Sequence, residues 1–336
     1  MPNTFESLME YRISYVVSTY NKLPYLRHIM ERLVAARQPD EEIIVCDGGS
    51  KDGTPEFLQQ LFDEGKIQQF VSERDKGQSH GLNKGFLMAQ GEIIKSISDD
   101  DAYWYPTIRK AADFMIEHPD VDVMLGFTAF GQLNDLTFAR VGESKVEEFK
   151  RWMETKEPFW MIDMPMLVRR KSLAITGLFY TGVVMVDAEF IFRITRLGVN
   201  IAWCNGVLSM HLNNPNGNFN NMSPRSIADE ARRVQIFYDV YKSPFTLDGA
   251  VAASKEFVER LKRPLRPAKR RFFEARGLPQ VQDPERYSTN YVPREGEDHL
   301  TATYRVCDEF MAARNAERET TFIYRPNQVT KALQKA

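Results

Sequence analysis

Short apolar runs, each closed by a polar loop and followed by a segment of helical period, repeat through the first third of the chain. Ile13 to Val17 is rich in β-branched residues and stops at Ser18-Thr19-Tyr20-Asn21. Leu23 to Ala36 then sets Leu26, Ile29, Met30, Leu33 and Val34 on one helical stripe. The unit recurs at Ile43-Ile44-Val45-Cys46, which leads into Asp47-Gly48-Gly49-Ser50-Lys51-Asp52-Gly53; Thr54-Pro55 then predicts an N-cap followed by proline at the first helical position. Ile67 to Val71 precedes the polar stretch Ser72 to Ser79 and a helix near Gly81 to Ala89, and Ile93 to Ile97 runs into Asp99, Asp100 and Asp101. Strands alternating with helices at this spacing predict a parallel sheet with helices on both faces. Such sheets bind ligands beyond the carboxyl ends of their strands, where every polar cluster named here falls.

At 336 residues, 43% of them hydrophobic, the chain can bury a large core and accommodates one main domain plus an extension. A net charge of −2 gives no global attraction to nucleic acid, which is not an expected partner. Cys46, Cys204 and Cys307 are odd in number and far apart, indicating neither a disulfide framework nor a zinc site and fitting a reducing compartment. No stretch approaches the roughly 20 apolar residues that span a bilayer, and Met1 to Glu6 lacks the character of a signal peptide, so a cytoplasmic location is expected.

Three adjacent carboxylates repel one another, and a compact loop needs a cation to hold them. Asp99 and Asp101, one residue apart at a strand end, can aim oxygens at one hard divalent ion that keeps positions open for water or phosphate. A solvated acidic turn is the other reading of such a run.

The series Val17 to Asn21, Ile44 to Thr54, Gly77-Gln78-Ser79 with Leu82-Asn83-Lys84-Gly85, and Gly91-Glu92-Ile93-Ile94 before the aspartates resembles the family 2 glycosyltransferases of the GT-A fold. The match covers about residues 1–105, with weaker matches to His211. The resemblance implies a Rossmann-like, mixed, mainly parallel sheet flanked by helices and an inverting transfer of a sugar from a nucleotide-diphosphate donor, most commonly a UDP-sugar. It implies a Mn²⁺ or Mg²⁺ cofactor. It also implies a glycan, lipid-linked or protein hydroxyl acceptor and a place in bacterial polysaccharide or glycoconjugate synthesis. The expected division is 1–222 for the transferase domain, with its nucleotide half at about 10–105 and its acceptor half at about 106–222, and 223–336 for a helical extension.

By the same resemblance, Asp47 holds the nucleotide base, and Ser18, Thr19, Tyr20, Asn21, Gly48, Gly77, Gln78, Asn83, Lys84, Asp99 and Asp100 line the nucleotide-sugar site. Asp101, Asp99 and His211 are the implied metal ligands; counting from Gly91 favours Asp100 as the principal one and counting back from Pro106 favours Asp101. Asp187-Ala188-Glu189-Phe190-Ile191-Phe192-Arg193 resembles the segment that carries the family's base, which places that role on Asp187, with Glu189 as runner-up. On a helix, residues two apart do not share a face, so only one of them can face the donor. Capping of that helix is the other use for Asp187. Phe190, Ile191, Ile194 and Leu197 form its expected core stripe, and Trp160 and Arg169 are acceptor-side candidates. Asn213 to Asn221 reads as a polar closure loop beside His211.

Leu82 and His80 depart from the family pattern at positions where many members carry an arginine and an aspartate; Arg74 or Lys84 could supply the positive charge this removes. Ile227 to Tyr241 has helical period. Residues 257–276 are dense in lysine and arginine, broken by Pro264 and Pro267, and an anionic membrane at the inner face is one partner for them. A second copy of the chain is a further partner to test. A dehydrogenase would need a Gly-x-Gly-x-x-Gly turn after the first strand, which Ser18 to Asn21 is not. A non-catalytic nucleotide-sugar-binding module and, less closely, a sugar nucleotidyltransferase are the competing classes.

Overall fold

The computed structural model describes residues 11–162, 164–217, 220, 222–241, 254 and 286–326. Four strands, β1 (Ile13–Thr19), β2 (Glu41–Asp47), β3 (Gln69–Ser72) and β4 (Ile93–Ser98), run parallel in the order β3-β2-β1-β4. All seven residues of β2 are buried, which is why its apolar run is continuous rather than alternating. The connecting helices α1 (Leu23–Ala36), α2 (Thr54–Asp63) and α3 (Gln78–Met88) return the chain between strands. Thr54 is the first helical residue of α2 rather than its cap, because Asp52 Oδ1 already accepts from both Thr54 N and Thr54 Oγ1.

Helix α3 lies unusually close to the sheet. A Cβ on Gly85 would stand 2.2 Å from Val16 Cγ1 and one on Gly81 would stand 2.5 Å from Ser18 Oγ. Glycine one helical turn apart therefore lets α3 touch β1 next to the strand end that carries the first polar loop.

The sheet continues past β4 with mixed directions. After β5 (Ala102–Tyr103) and α4 (Tyr105–Glu117) come β6 (Val123–Gln132) and β7 (Asp135–Val141). Then follow α5 (Lys145–Thr155), β8 (Leu167–Arg169), the short α6 (Leu173–Thr176), α7 (Val186–Leu197) and β9 (Ile201–Asn213). Strand β8 joins β4 to β6 through antiparallel pairings, and β9 runs parallel to β6 from Val123–Ile201 to Gln132–Asn213. Near its carboxyl end β9 also takes β5 as an antiparallel neighbour, Ala102 opposite Met210. This pairing brings the aspartates just before β5 to the residues around His211.

Helix α8 (Pro224–Phe237) begins earlier than its periodicity suggests, because Ser223 Oγ accepts from Ser226 N at 3.1 Å and caps it. The later residues belong to the same body and are not purely helical. Strand β10 (Arg286–Ser288) pairs with β7 and β11 (Phe322–Ile323) pairs with β9. Between them, α9 (His299–Ala316) buries Tyr304, Val306, Cys307, Phe310 and Met311 in the core shared with β1 and β2. The basic segment 257–276 lies outside the described residues. Leu197, expected on the core stripe of α7, is 57% exposed; Ala188, Glu189 and Thr195 are buried on that helix instead.

Candidate active site

The carboxyl ends of β1, β2 and β3 stand in one row, with Thr19 opposite Asp47 and Asp47 opposite Ser72. Asp47 is buried, and its carboxylate accepts from Ser50 N and Ser50 Oγ and, at 2.7 Å, from Ser72 Oγ. A nucleotide base reaching Asp47 must therefore exchange with a serine hydroxyl. The loops after β1 and β2 are tied together: Asn21 N donates to Ser50 Oγ at 2.7 Å and Lys51 N donates to Asn21 Oδ1 at 2.9 Å. Asn21 adopts φ 51°, a left-handed conformation that asparagine tolerates better than most side chains. Gly77, with φ 104°, has a backbone that only glycine accepts readily, and Gly48 leaves room for Asp75, whose carboxylate would lie 3.0 Å from a Cβ there. Tyr20 and Gln78 are exposed at this rim.

Beyond β4 the three aspartates are 6%, 7% and 4% exposed in sequence order. Lys22 Nζ lies 2.6 Å from Asp100 Oδ2 and 3.3 Å from Asp99 Oδ1. Asp100 also accepts from Ser98 Oγ and from Asn214 Nδ2, both at 2.9 Å. Asp101 turns the other way, its Oδ1 accepting from Leu212 N at 2.8 Å and lying 3.0 Å from His211 Nδ1. These partners sort the titration of the loop. Burial pushes the Asp99 carboxyl up to about 7 despite the pull of Lys22. Burial works the same way on Asp100, but Lys22 and the donors from Asn214 and Ser98 outweigh it and hold that carboxyl below the usual range. Burial would lower His211, yet Asp101, with smaller contributions from Asp100 and Asp187, brings it up to about 9.

The donor set of carboxylates and one imidazole is chemically suited to Mn²⁺ or Mg²⁺. Its arrangement is not: Asp99 and Asp100 converge on an ammonium, and the Asp101 oxygen nearest His211 is spent on β9. Among the described residues no three His, Cys, Asp or Glu side chains come together in a way that could hold a metal ion.

Asp187 is half-buried in the first turn of α7, where its Oδ1 accepts from Ala188 N, and it acts electrostatically on His211. Of the two base candidates it is the one near the acidic loop. Glu189 is 4% exposed, with both oxygens on Arg193 at 3.0 Å and a further bond from the Tyr238 hydroxyl. Its carboxylate is locked between two helices, which removes it as runner-up.

Other expected side chains are committed elsewhere. The Asn83 amide is used at both ends by the backbone of Phe179. Lys84 pairs with Glu73 at 3.0 Å. Arg169 is fully buried, with Nε donating to Val121 O at 2.8 Å and its other nitrogens to Met115 O, His118 O and Glu92. It sits opposite Ile93, the first residue of β4, at the end of the sheet away from the acidic loop, so it is a framework residue and not an acceptor contact. Trp160 is 38% exposed with Lys145 Nζ 5.1 Å over its ring. The polar loop after β9 is turned tightly: Asn216 N donates to Asn214 Oδ1, Asn220 Nδ2 donates to Asn214 O, and Asn214 itself holds Asp100; Asn218 and Asn221 lie outside the described residues. Lys22 is the site residue the sequence reading missed. Three adjacent carboxylates announce a cation, but nothing in the motif says which lysine delivers it.

A parallel β3-β2-β1-β4 unit with polar loops at its carboxyl ends, extended through an antiparallel β8 to a β6–β9 pair that carries a histidine back to an aspartate run, defines the GT-A class of nucleotide-sugar transferase folds. Residues 14–177 match the model of Glycosyl transferase family 2. An uncharacterized glycosyltransferase of Nostoc sp. is 32% identical over 97 residues, 28% of this chain and 30% of that protein. The poly-beta-1,6-N-acetyl-D-glucosamine synthase of Staphylococcus epidermidis is 28% identical over 99 residues, 28% of this chain and 24% of the synthase. The chain thus spans less than a third of the length of either relative. The crystal structure of S. aureus TarS 1-349 in complex with UDP-GlcNAc shares the fold, with TM-score 0.51 and 16% identity over 67% of this chain and 66% of that one.

Proposed function

We propose that the protein transfers a sugar, with inversion, from a nucleotide-diphosphate sugar to a hydroxyl acceptor, and that Asp187 is the base. The carrying observation is that Asp187 lies near enough to His211 to act on its charge, while Glu189 is locked on Arg193 and Tyr238. The Asp187 carboxylate takes the proton of the acceptor hydroxyl as its oxygen bonds to the anomeric carbon. The bond from that carbon to the diphosphate breaks on the opposite face, and the nucleoside diphosphate leaves. Its negative charge grows beside the loop that holds Lys22 and His211.

A UDP-sugar is the donor we favour, because the family uses it most often, and a glycan, lipid-linked or protein hydroxyl is the acceptor class. Polysaccharide or glycoconjugate synthesis fits both the family match of residues 14–177 and the similarity to a polysaccharide synthase. The resemblance implies Mn²⁺ or Mg²⁺ at Asp101, Asp99 and His211, and no step here is routed through an ion. Among the described residues no helix is long and apolar enough to cross a membrane. A cytoplasmic location, with 257–276 against anionic lipid, belongs to the same proposal. The test is a thermal-shift screen of nucleotides and nucleotide sugars, with and without Mn²⁺, followed by an assay of diphosphate-nucleotide release. Binding to the folded state must raise the midpoint. Binding without release would make the chain a nucleotide-sugar-binding module.

A further inference from the structure

We propose that Lys22 is the cation this acidic loop presents to a nucleoside diphosphate, standing where the family resemblance puts a divalent ion and competing with such an ion for the gap between Asp99 and Asp100. The proposal rests on the nucleotide-sugar reading above.

The ammonium is 2.6 Å from one carboxylate and 3.3 Å from the other, and the Lys22 side chain is only 16% exposed. Both aspartates are deep enough that an unpaired charge there would be costly, so the pairing is a condition of the loop's conformation. Lys22 also arrives by design of the local backbone. It follows Asn21, whose left-handed turn is fastened to Ser50 and Lys51, and its carbonyl accepts from Tyr25 N and Leu26 N at the start of α1. The β1–α1 turn thus fixes the Cα, and the four-carbon stem reaches the aspartates.

A divalent ion would bind the same oxygens at about 2.0–2.2 Å. An ammonium within hydrogen-bond distance of those oxygens cannot remain beside it, through both volume and like charge. Entry of the ion therefore requires Lys22 to leave, and Asp101 gives little help while Leu212 N and His211 hold one of its oxygens. A diphosphate makes the opposite demand. Lysine is a compact point charge on a flexible stem with three donors, so it can share itself between carboxylate and phosphate oxygens without a change of fold.

The experiment is calorimetric titration of the full chain with UDP and with GDP, in EDTA and in manganese, together with titration of Mn²⁺ alone, on wild type, Lys22→Gln and Lys22→Arg. Wild type is expected to bind one of the nucleotides in EDTA within about threefold of its affinity in manganese, Lys22→Gln to lose at least about tenfold in EDTA, and Lys22→Arg to keep binding. For Mn²⁺ alone, Lys22→Gln should bind about tenfold more tightly than wild type. Nucleotide binding that needs manganese and ignores Lys22, or equal Mn²⁺ affinity in both proteins, overturns the proposal while leaving the nucleotide-sugar reading intact. No binding of either nucleotide under any condition removes that reading, and the proposed ligand of Lys22 with it. Should Lys22→Gln fail to fold, the wild-type comparison of EDTA with manganese decides alone.

Discussion

Asn83 and Phe179 are joined by a reciprocal pair of hydrogen bonds: Asn83 Nδ2 donates to Phe179 O at 2.7 Å, and Phe179 N donates to Asn83 Oδ1 at 2.8 Å. One side chain thereby pairs with a backbone as a strand would. It couples α3, which rests on β1 through Gly81 and Gly85, to the loop that leads into α7 and Asp187. From the other side Arg193 grips the same loop, donating to Thr176 O and, at 2.7 Å, to Leu178 O. The loop that leads to the proposed base is held to α3 and to α7 by these two residues.

Replacing Asn83 with alanine leaves a buried backbone N–H and C=O without partners, a loss of about 2 kcal/mol. Transfer should fall because the loop before Asp187 loosens, while nucleotide affinity stays within about twofold, since both ends of the amide are committed to the Phe179 backbone. Urea unfolding and calorimetry check this together. Lost nucleotide affinity at unchanged stability would put Asn83 back in the nucleotide site.

Arg169→Met should be among the most damaging framework changes. It strips Glu92 of its ion pair, removes the side-chain donor to the Val121 carbonyl, and takes one of two donors from the carbonyls of Met115 and His118. A loss of about 3–5 kcal/mol is expected from breaking a buried charge network, and Arg169→Lys should recover little of it because an ammonium cannot reproduce the guanidinium fork. The readout is the urea midpoint. A variant of full stability that binds acceptor poorly would contradict the framework role.

Asn315 of α9 brackets a bulge in β9, donating to Val207 O at 3.0 Å and accepting from Val207 N at 2.9 Å, where the pairing with β6 slips between Gly126 and Thr128. Asn315→Ala should cost about 1–2 kcal/mol and speed amide hydrogen exchange along β9 toward His211. Exchange unchanged in β9 would mean that α9 does not support the site.

His211 gives a pH signature in metal-free protein. Its folded value, about 9, lies above the ordinary 6.5, so the charged imidazole stabilises the fold fully below about pH 6.5 and the contribution is lost as pH rises through 9. His211→Asn should therefore differ from wild type most at pH 6 and least near pH 10 in denaturant unfolding with EDTA. The side chain is 42% exposed, so solvent screening keeps the effect small. A difference that grows toward high pH would reverse the assignment.

The parallel half was legible because the apolar runs of β1, β2 and β4 are buried on both faces and each ends in turn residues. The β1–α1, β2–α2 and β4 assignments hold, and β3 sits one or two residues later than its apolar run because Ser72 pairs opposite Asp47. The second half was not, since β7, β10 and β11 join the sheet by backbone pairing with partners far along the chain and carry little periodicity of their own. Side-chain roles failed for a similar reason. Arg169 follows an apolar run and reads as surface charge until four distant groups close around it. Lys22 meets an aspartate 78 positions downstream, a pairing that a motif cannot encode. Helical geometry separates Asp187 from Glu189, but only the contacts of Arg193 and Tyr238 show that Glu189 is committed to packing.

The most direct test of the account is the rate of nucleoside-diphosphate release from a nucleotide sugar by wild type, Asp187→Asn and Glu189→Gln, with nucleotide affinity measured alongside. Removing a positioned carboxylate base should slow release by about 10²- to 10⁴-fold in Asp187→Asn with affinity unchanged. Glu189→Gln should mainly lower stability and retain far more of the rate per folded molecule. Full activity in Asp187→Asn, or a larger catalytic loss in a stably folded Glu189→Gln, would contradict the assignment of Asp187 as the base.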